Sequence, residues 1–145
     1  VDNPRADERG YREFTQYVDM NGLGIYGEDG GSEEKMLYVA AIFAELLDND
    51  EDGRPDNPAV VAELVKRNAF MGVAETECAM DRLDHRAFER AGFHAGQGQF
   101  ATETLPDDGR FDATLEEVLH LITHEGYAKV YPKIFGERPG TELAK

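Results

Sequence analysis

Apolar positions along the chain alternate between helical spacing and short runs set between glycines. Tyr11, Phe14 and Val18 follow i, i+3, i+7 and predict a helix from Asp7 to about Asp19, stopped by Asn21-Gly22. Leu23 to Tyr26, inside GLGIYGEDGG, reads as a short strand. Ser32 is a good N-cap, with Glu33 and Glu34 in the first turn, where the helix dipole favours them. The run MLYVAAIFAELL, ending at Leu47, is apolar on nearly every face and predicts the central buried helix. Asn57 caps the next helix, with Pro58 at its first position, and this helix runs to about Arg67. AFMGVA, residues 69–74, predicts a strand. Thr76 caps a helix with Met80, Leu83 and Ala87 inward, ending near Gly92. GQGQFATETL, residues 96–105, predicts a further strand, and PDDGRFD a turn. The last strong helix starts near Asp112 or Thr114 and reaches about Val130, with Pro132 ending it. The expected fold class is α+β: a helix-dominated single domain over 1–145 with a small β-sheet, residues 1–6 and 136–145 being loose ends.

A chain of 145 residues can bury a real core without disulfide staples. Its charge narrows the function classes. Fifteen Lys and Arg against thirty Asp and Glu leave a net charge of −15. The long-range field of such a chain repels nucleic acid phosphates and anionic membranes and attracts cations. No apolar run approaches the roughly 20 residues of a membrane span. Cys78 is the single cysteine, so no intrachain disulfide forms, and it reads as a small buried hydrophobe. The chain begins at Val1, read as the mark of a removed leader or a trimmed end. The expected location is secreted, extracellular or periplasmic. A small secreted domain without disulfides calls for another staple, and a structural metal is the common substitute. The glycines of GLGIYGEDGG lack the Lys and Ser/Thr of a phosphate loop, and no G-x-S-x-G elbow is present.

Residues 48–57 read D-N-D-E-D-G-R-P-D-N. Asp48, Asp50 and Asp52 recur every second residue, Gly53 turns the chain, and Asp56 and Asn57 return oxygens to the same point. Calcium takes six to eight oxygens at about 2.4 Å, and this spacing curls carboxylates around one centre. The expected ligands are Asp48, Asp50, Asp52, the backbone carbonyl of Arg54, and Asp56. A solvated acidic turn is the competing reading, because Asp and Asn favour turns. The first half matches an EF-hand loop, but Ala59 stands at the twelfth position, where an EF-hand has Glu. The ten residues more closely resemble the aspartate-rich calcium loops of thrombospondin type 3 repeats.

Two of the four histidines lie in T-L-E-E-V-L-H-L-I-T-H-E-G-Y. On a helical wheel of about 100° per residue, Leu115, Val118, Leu119 and Ile122 share one face, the expected core side. Glu116, Glu117, His120, His124 and Tyr127 cluster opposite. Imidazoles at i, i+4 can share a metal ion, and imidazole with carboxylate is a normal zinc ligand set. Glu116 to His120 reads E-E-x-x-H, which resembles the active-site helix H-E-x-x-H of zincin metallopeptidases. The resemblance implies His120 as a zinc ligand, Glu116 in place of the first histidine, and Glu117 as the catalytic base on a zinc-bound water. A second arrangement pairs His120 with His124. Thr114-x-x-Glu117 also fits a capping box, and a solvated polar face would account for the whole cluster. His94, where a helix gives way to a strand, is the first choice for an extra ligand, while His85 lies on a charged helix face.

These features support, first, a small secreted zinc-dependent (or copper-dependent) hydrolase, zincin-like and acting on peptides, with a structural calcium loop. A non-catalytic protein that binds or sequesters a transition metal is the first alternative. A calcium-stabilised extracellular interaction module is the second.

Overall fold

The computed structural model describes residues 2–8, 11–12, 14–28, 30–76, 86, 90, 95–105 and 111–144. The chain opens on a hairpin where a helix was expected. Strands β1 (Phe14–Met20) and β2 (Leu23–Glu28) pair antiparallel, with Met20 opposite Leu23. Asn21 and Gly22 make the turn, with φ of 54° and 86°. Two positive φ angles suit a two-residue hairpin, and Asn-Gly adopts them at least cost. Tyr11, Phe14 and Val18 fit a helix by spacing alone. Strand pairing satisfies the same backbone and still buries Phe14 and Met20.

Helix α1 (Glu33–Leu47) begins as expected, with the Ser32 hydroxyl accepting the Lys35 N–H at 3.4 Å. Helix α2 (Pro58–Lys66) starts at the Asn57 cap. Strand β3 (Phe70–Ala74) follows. Strand β4 (Gly96–Phe100) is shorter than the alternation suggests, because Ala101–Glu103 tightens into a 3₁₀ turn. Helix α3 (Thr114–Leu121) continues through a π-helical turn, Ile122–Tyr127, into α4 (Ala128–Val130). Pro132 then opens a short α5 (Pro132–Phe135). The helix expected from Thr76 to Gly92 lies mostly outside the described residues.

The sheet has the order β1-β2-β3-β4, with β2, β3 and β4 mutually parallel. Strand alternation sends Leu23, Ile25, Met71 and Val73 to one face, where Val39 and Phe43 of α1, Leu64 of α2 and Val118 of α3 complete the main core. Tyr26 and Phe70 point the other way and pack with Tyr11, Phe14 and Tyr17. That second face is covered from the N-terminal end. The buried Asn3 amide donates to the carbonyls of Tyr11 at 2.9 Å and Phe14 at 2.8 Å. The Arg5 guanidinium lies 3.8 Å above the Tyr11 ring. The first six residues, expected to be loose, are thus engaged from Asp2 to Arg5. The architecture is α+β. No helix among the described residues is long and apolar enough to cross a membrane.

Helix α3 is rotated from the wheel expectation. Leu115 and Leu119, assigned to the core side, are 51% and 40% exposed, while Val118 and Ile122 of that side are buried together with Thr114 and Leu121. A buried polar knot sets the rotation: the Gln99 amide reaches Thr104 Oγ1 at 2.7 Å and Thr114 Oγ1 at 3.3 Å. The helix start is held by Asp112, whose Oδ1 accepts the Thr114 N–H at 2.9 Å. No capping box forms, because the Thr114 side chain caps nothing and Glu117 accepts a hydrogen bond from the Gln97 side chain.

The π-helical turn packs tightly on α2. A Cβ added to Gly126 would lie 2.7 Å from Val60 Cγ1 and 3.3 Å from Leu64 Cγ, both in the main core. Gly126→Ala is expected to destabilise the fold by about 1–3 kcal/mol, the usual range for overpacking. A urea midpoint equal to or above the parent's would contradict this close approach.

Candidate functional site

The acidic loop leaves α1 at its C-cap, Asp48, and is cinched by the Asp56 N–H donating to the Leu47 carbonyl at 2.8 Å. Backbone N–H groups then orient the carboxylates. Asp48 accepts from Asp52 N–H at 3.2 Å and from Gly53 N–H at 2.9 Å. Asp50 accepts from Asp52 N–H at 3.3 Å. The Asn49 backbone and side chain both donate to Asp56, at 3.1 and 2.9 Å. The Asn49 side-chain and backbone hydrogen bonds hold the Asp56 carboxyl below the usual range, so it is ionised at neutral pH. Glu51 and Gly53 take positive φ, 56° and 82°, to close the curl.

This geometry brings one oxygen from each of Asp48, Asp50 and Asp56 within 4.8 Å of the others. Two ligands of one calcium ion, each about 2.4 Å from it, can be at most about 4.8 Å apart, so the three oxygens meet the distance limit for a shared ion. Asp52 is not in the group; its Oδ1 accepts the Arg54 N–H at 2.9 Å. Asn57 points away from it, capping α2 through Val60 N–H at 3.4 Å and donating to Tyr131 Oη at 3.1 Å.

A second constellation occupies α3 and the π-helical turn. The His120 ring has Glu116 at 4.0 Å from Nε2 and Glu117 at 3.6 Å from Nδ1, both beyond hydrogen-bond reach. His124 lies one turn on, and its two ring nitrogens each meet a carboxylate: Nδ1 lies 2.7 Å from Glu125 and Nε2 lies 2.7 Å from Glu137. Glu125 is nearly buried and accepts from Arg67 Nε at 2.7 Å. Burial alone would raise the Glu125 carboxyl, but hydrogen bonds from Arg67 and His124 and the charges of Arg67 and Lys129 carry it below the usual range. The two histidines line one cleft of about 380 Å³ with Gln97, Glu125, Phe135 and Glu137.

His120, His124 and Glu116 do not form a set of three mutually close ligand atoms; among the described residues only Asp48, Asp50 and Asp56 do. His94, the expected extra ligand, lies outside the described residues, as do His85 and Cys78. The cleft also contains residues that the sequence did not single out: Gln97, Glu125 and Glu137, with Arg67 behind them. One signal was available. On a regular wheel Glu125 falls at about 280°, between Val118 and Leu121, and a carboxylate inside an apolar arc must be paired.

No family model matches the chain, and no curated protein or solved structure matches it.

Proposed function

We propose that the protein is a calcium-stabilised binding module in which the 48–56 loop holds one divalent cation. The observation that carries this reading is the approach of the Asp48, Asp50 and Asp56 oxygens to within 4.8 Å. The loop's likeness to thrombospondin type 3 calcium loops supports it from the sequence side. Water and the Arg54 carbonyl would complete a coordination sphere of six to eight oxygens. Loops of this kind in extracellular modules bind calcium at about 10⁻⁴–10⁻³ M, and the reading therefore includes a location outside the cytosol.

The ion would act as the staple that a disulfide provides elsewhere. The loop joins α1 to α2, and Asn57 at its end ties α2 to Tyr131. Arg67 at the far end of α2 holds Glu125. A cation in the loop would thus fix the placement of the helix that braces the cleft. Binding to the native state alone raises stability in proportion to the logarithm of ligand concentration. Protein freed of metal should therefore melt at a higher temperature as calcium rises through the millimolar range. Magnesium at equal concentration should raise it less, because that ion demands a near-octahedral site and dehydrates reluctantly. Superimposable melting curves in chelator and in millimolar calcium would remove this function.

A further inference from the structure

We propose that the cleft between β4, the π-helical turn and α5 binds small apolar monocarboxylates, and that Glu137 is its resident intramolecular occupant. The inference is independent of the calcium loop. It starts from the unequal surroundings of the two carboxylates on His124. Glu125 is built in: its side chain is 10% exposed and Arg67 fixes it from the opposite side. It sets the orientation of the imidazole through Nδ1 and directs Nε2 to the cleft. Glu137 is 71% exposed and follows α5 in an irregular segment. Its Oε1 nevertheless sits 2.7 Å from Nε2. An ionised carboxylate only accepts hydrogen bonds, so each ring nitrogen faces an acceptor oxygen.

His124 Nε2 is thus held facing a seat that a carboxylate oxygen already occupies at 2.7 Å. The cleft lining is mixed: Leu121, Ala128 and Phe135 supply apolar surface, the Phe135 ring packing 4.9 Å from that of Tyr127, among the polar Gln97, His120 and Thr123. A volume of about 380 Å³ is at the small-molecule end of ligand pockets. A ligand with one carboxylate next to a ring or short alkyl group would satisfy both the ring nitrogen and the apolar part of the lining. The field of a chain with net charge −15 opposes any anion at long range. Recognition would then be local, and it should strengthen as salt screens that field.

An intramolecular occupant competes as a ligand at an effective concentration of roughly millimolar. Removing it should tighten an external carboxylate by about tenfold. The test is a heteronuclear NMR titration at pH 6 with benzoate, and with benzamide as the neutral isostere, on the parent, Glu137→Ala and His124→Gln. Benzoate should shift the His124 and Gln97 resonances, bind Glu137→Ala about tenfold more tightly than the parent, and bind more tightly in 0.5 M salt than in 0.05 M. Benzamide should leave these resonances unmoved. His124→Gln should lose the benzoate response. Equal benzoate affinity in the parent and Glu137→Ala, no benzoate shifts in Glu137→Ala, or benzamide matching benzoate would each overturn the proposal. The two probes are compared on the same folded protein, so the test stands even if His124→Gln does not fold.

Discussion

Arg67→Met is expected to destabilise the protein by about 2–3 kcal/mol at pH 7. The variant keeps the aliphatic packing of the stem and removes the charge that faces Glu125. Removing one partner of a buried ion pair costs about 3–5 kcal/mol where the other is left unpaired, and Glu125 here keeps its contact with His124. Arg67 is itself part-exposed, so water offsets a share of that cost. The melting temperature should fall by roughly 4–12 °C for a chain of this size. The pH dependence follows from the sign of the shift. Glu125 is held below its ordinary pKa, so its pairing stabilises the fold above about pH 4.5 and is lost as pH falls through the lower native value. Without Arg67 the carboxyl loses two of the causes that lower it and keeps the His124 hydrogen bond and the Lys129 charge, so its protonation costs the variant less. The gap between parent and variant in urea denaturation should therefore narrow from pH 7 to pH 4. A gap of unchanged size at the two pH values would show that the pair contributes through packing alone.

Asp50→Asn is expected to change the sign of its effect with calcium. In chelator the substitution removes a charge from three carboxylates gathered within 4.8 Å and should leave the melting temperature equal or raised. In about 10 mM calcium the parent gains about 1.4–2.7 kcal/mol if its affinity lies in the extracellular range. That corresponds to roughly 3–10 °C, and Asp50→Asn should forgo most of it. Asp56→Asn should behave alike. Asp52→Asn should retain more than half of the rise, because Asp52 turns to the Arg54 N–H and stands outside the group. A variant order with Asp52 as the most sensitive position would restore the alternating ligand set expected from the spacing.

The parts of the fold that local chemistry decides were legible from the sequence. Ser32 and Asn57 cap the helices they were expected to cap, and Pro58 stands at a first turn. The acidic loop was visible because its carboxylates lie within nine residues of one another, and its curl depends on local turns and one glycine. The hairpin differs from the helix that the spacing predicts because Asn21-Gly22 does more than stop a helix: two positive φ angles between apolar runs specify a reversal into a partner strand. Helix α3 was recognised, but its facing was wrong by roughly 60°. Leu115 and Leu119 belong to an apolar arc as wide as the buried one, and the choice between them was made by Gln99 on β4. The cleft was the least legible. His120 and His124 lie on one side of one helix with Glu116, Glu117 and Glu125 near them, but Arg67, Gln97 and Glu137 come from the end of α2, from β4 and from the segment after α5. Arg67 lies 58 residues from Glu125, and no periodicity links the two.

The measurement that bears most directly on the proposed calcium site is isothermal titration of calcium into protein stripped with chelator, beside the Asp50→Asn/Asp56→Asn double variant. The account predicts one saturable site per chain in the parent, with a dissociation constant of about 10⁻⁴–10⁻³ M, and no such site in the double variant. Absence of saturable binding in the parent up to about ten times that range, or binding that survives in the double variant, would contradict it.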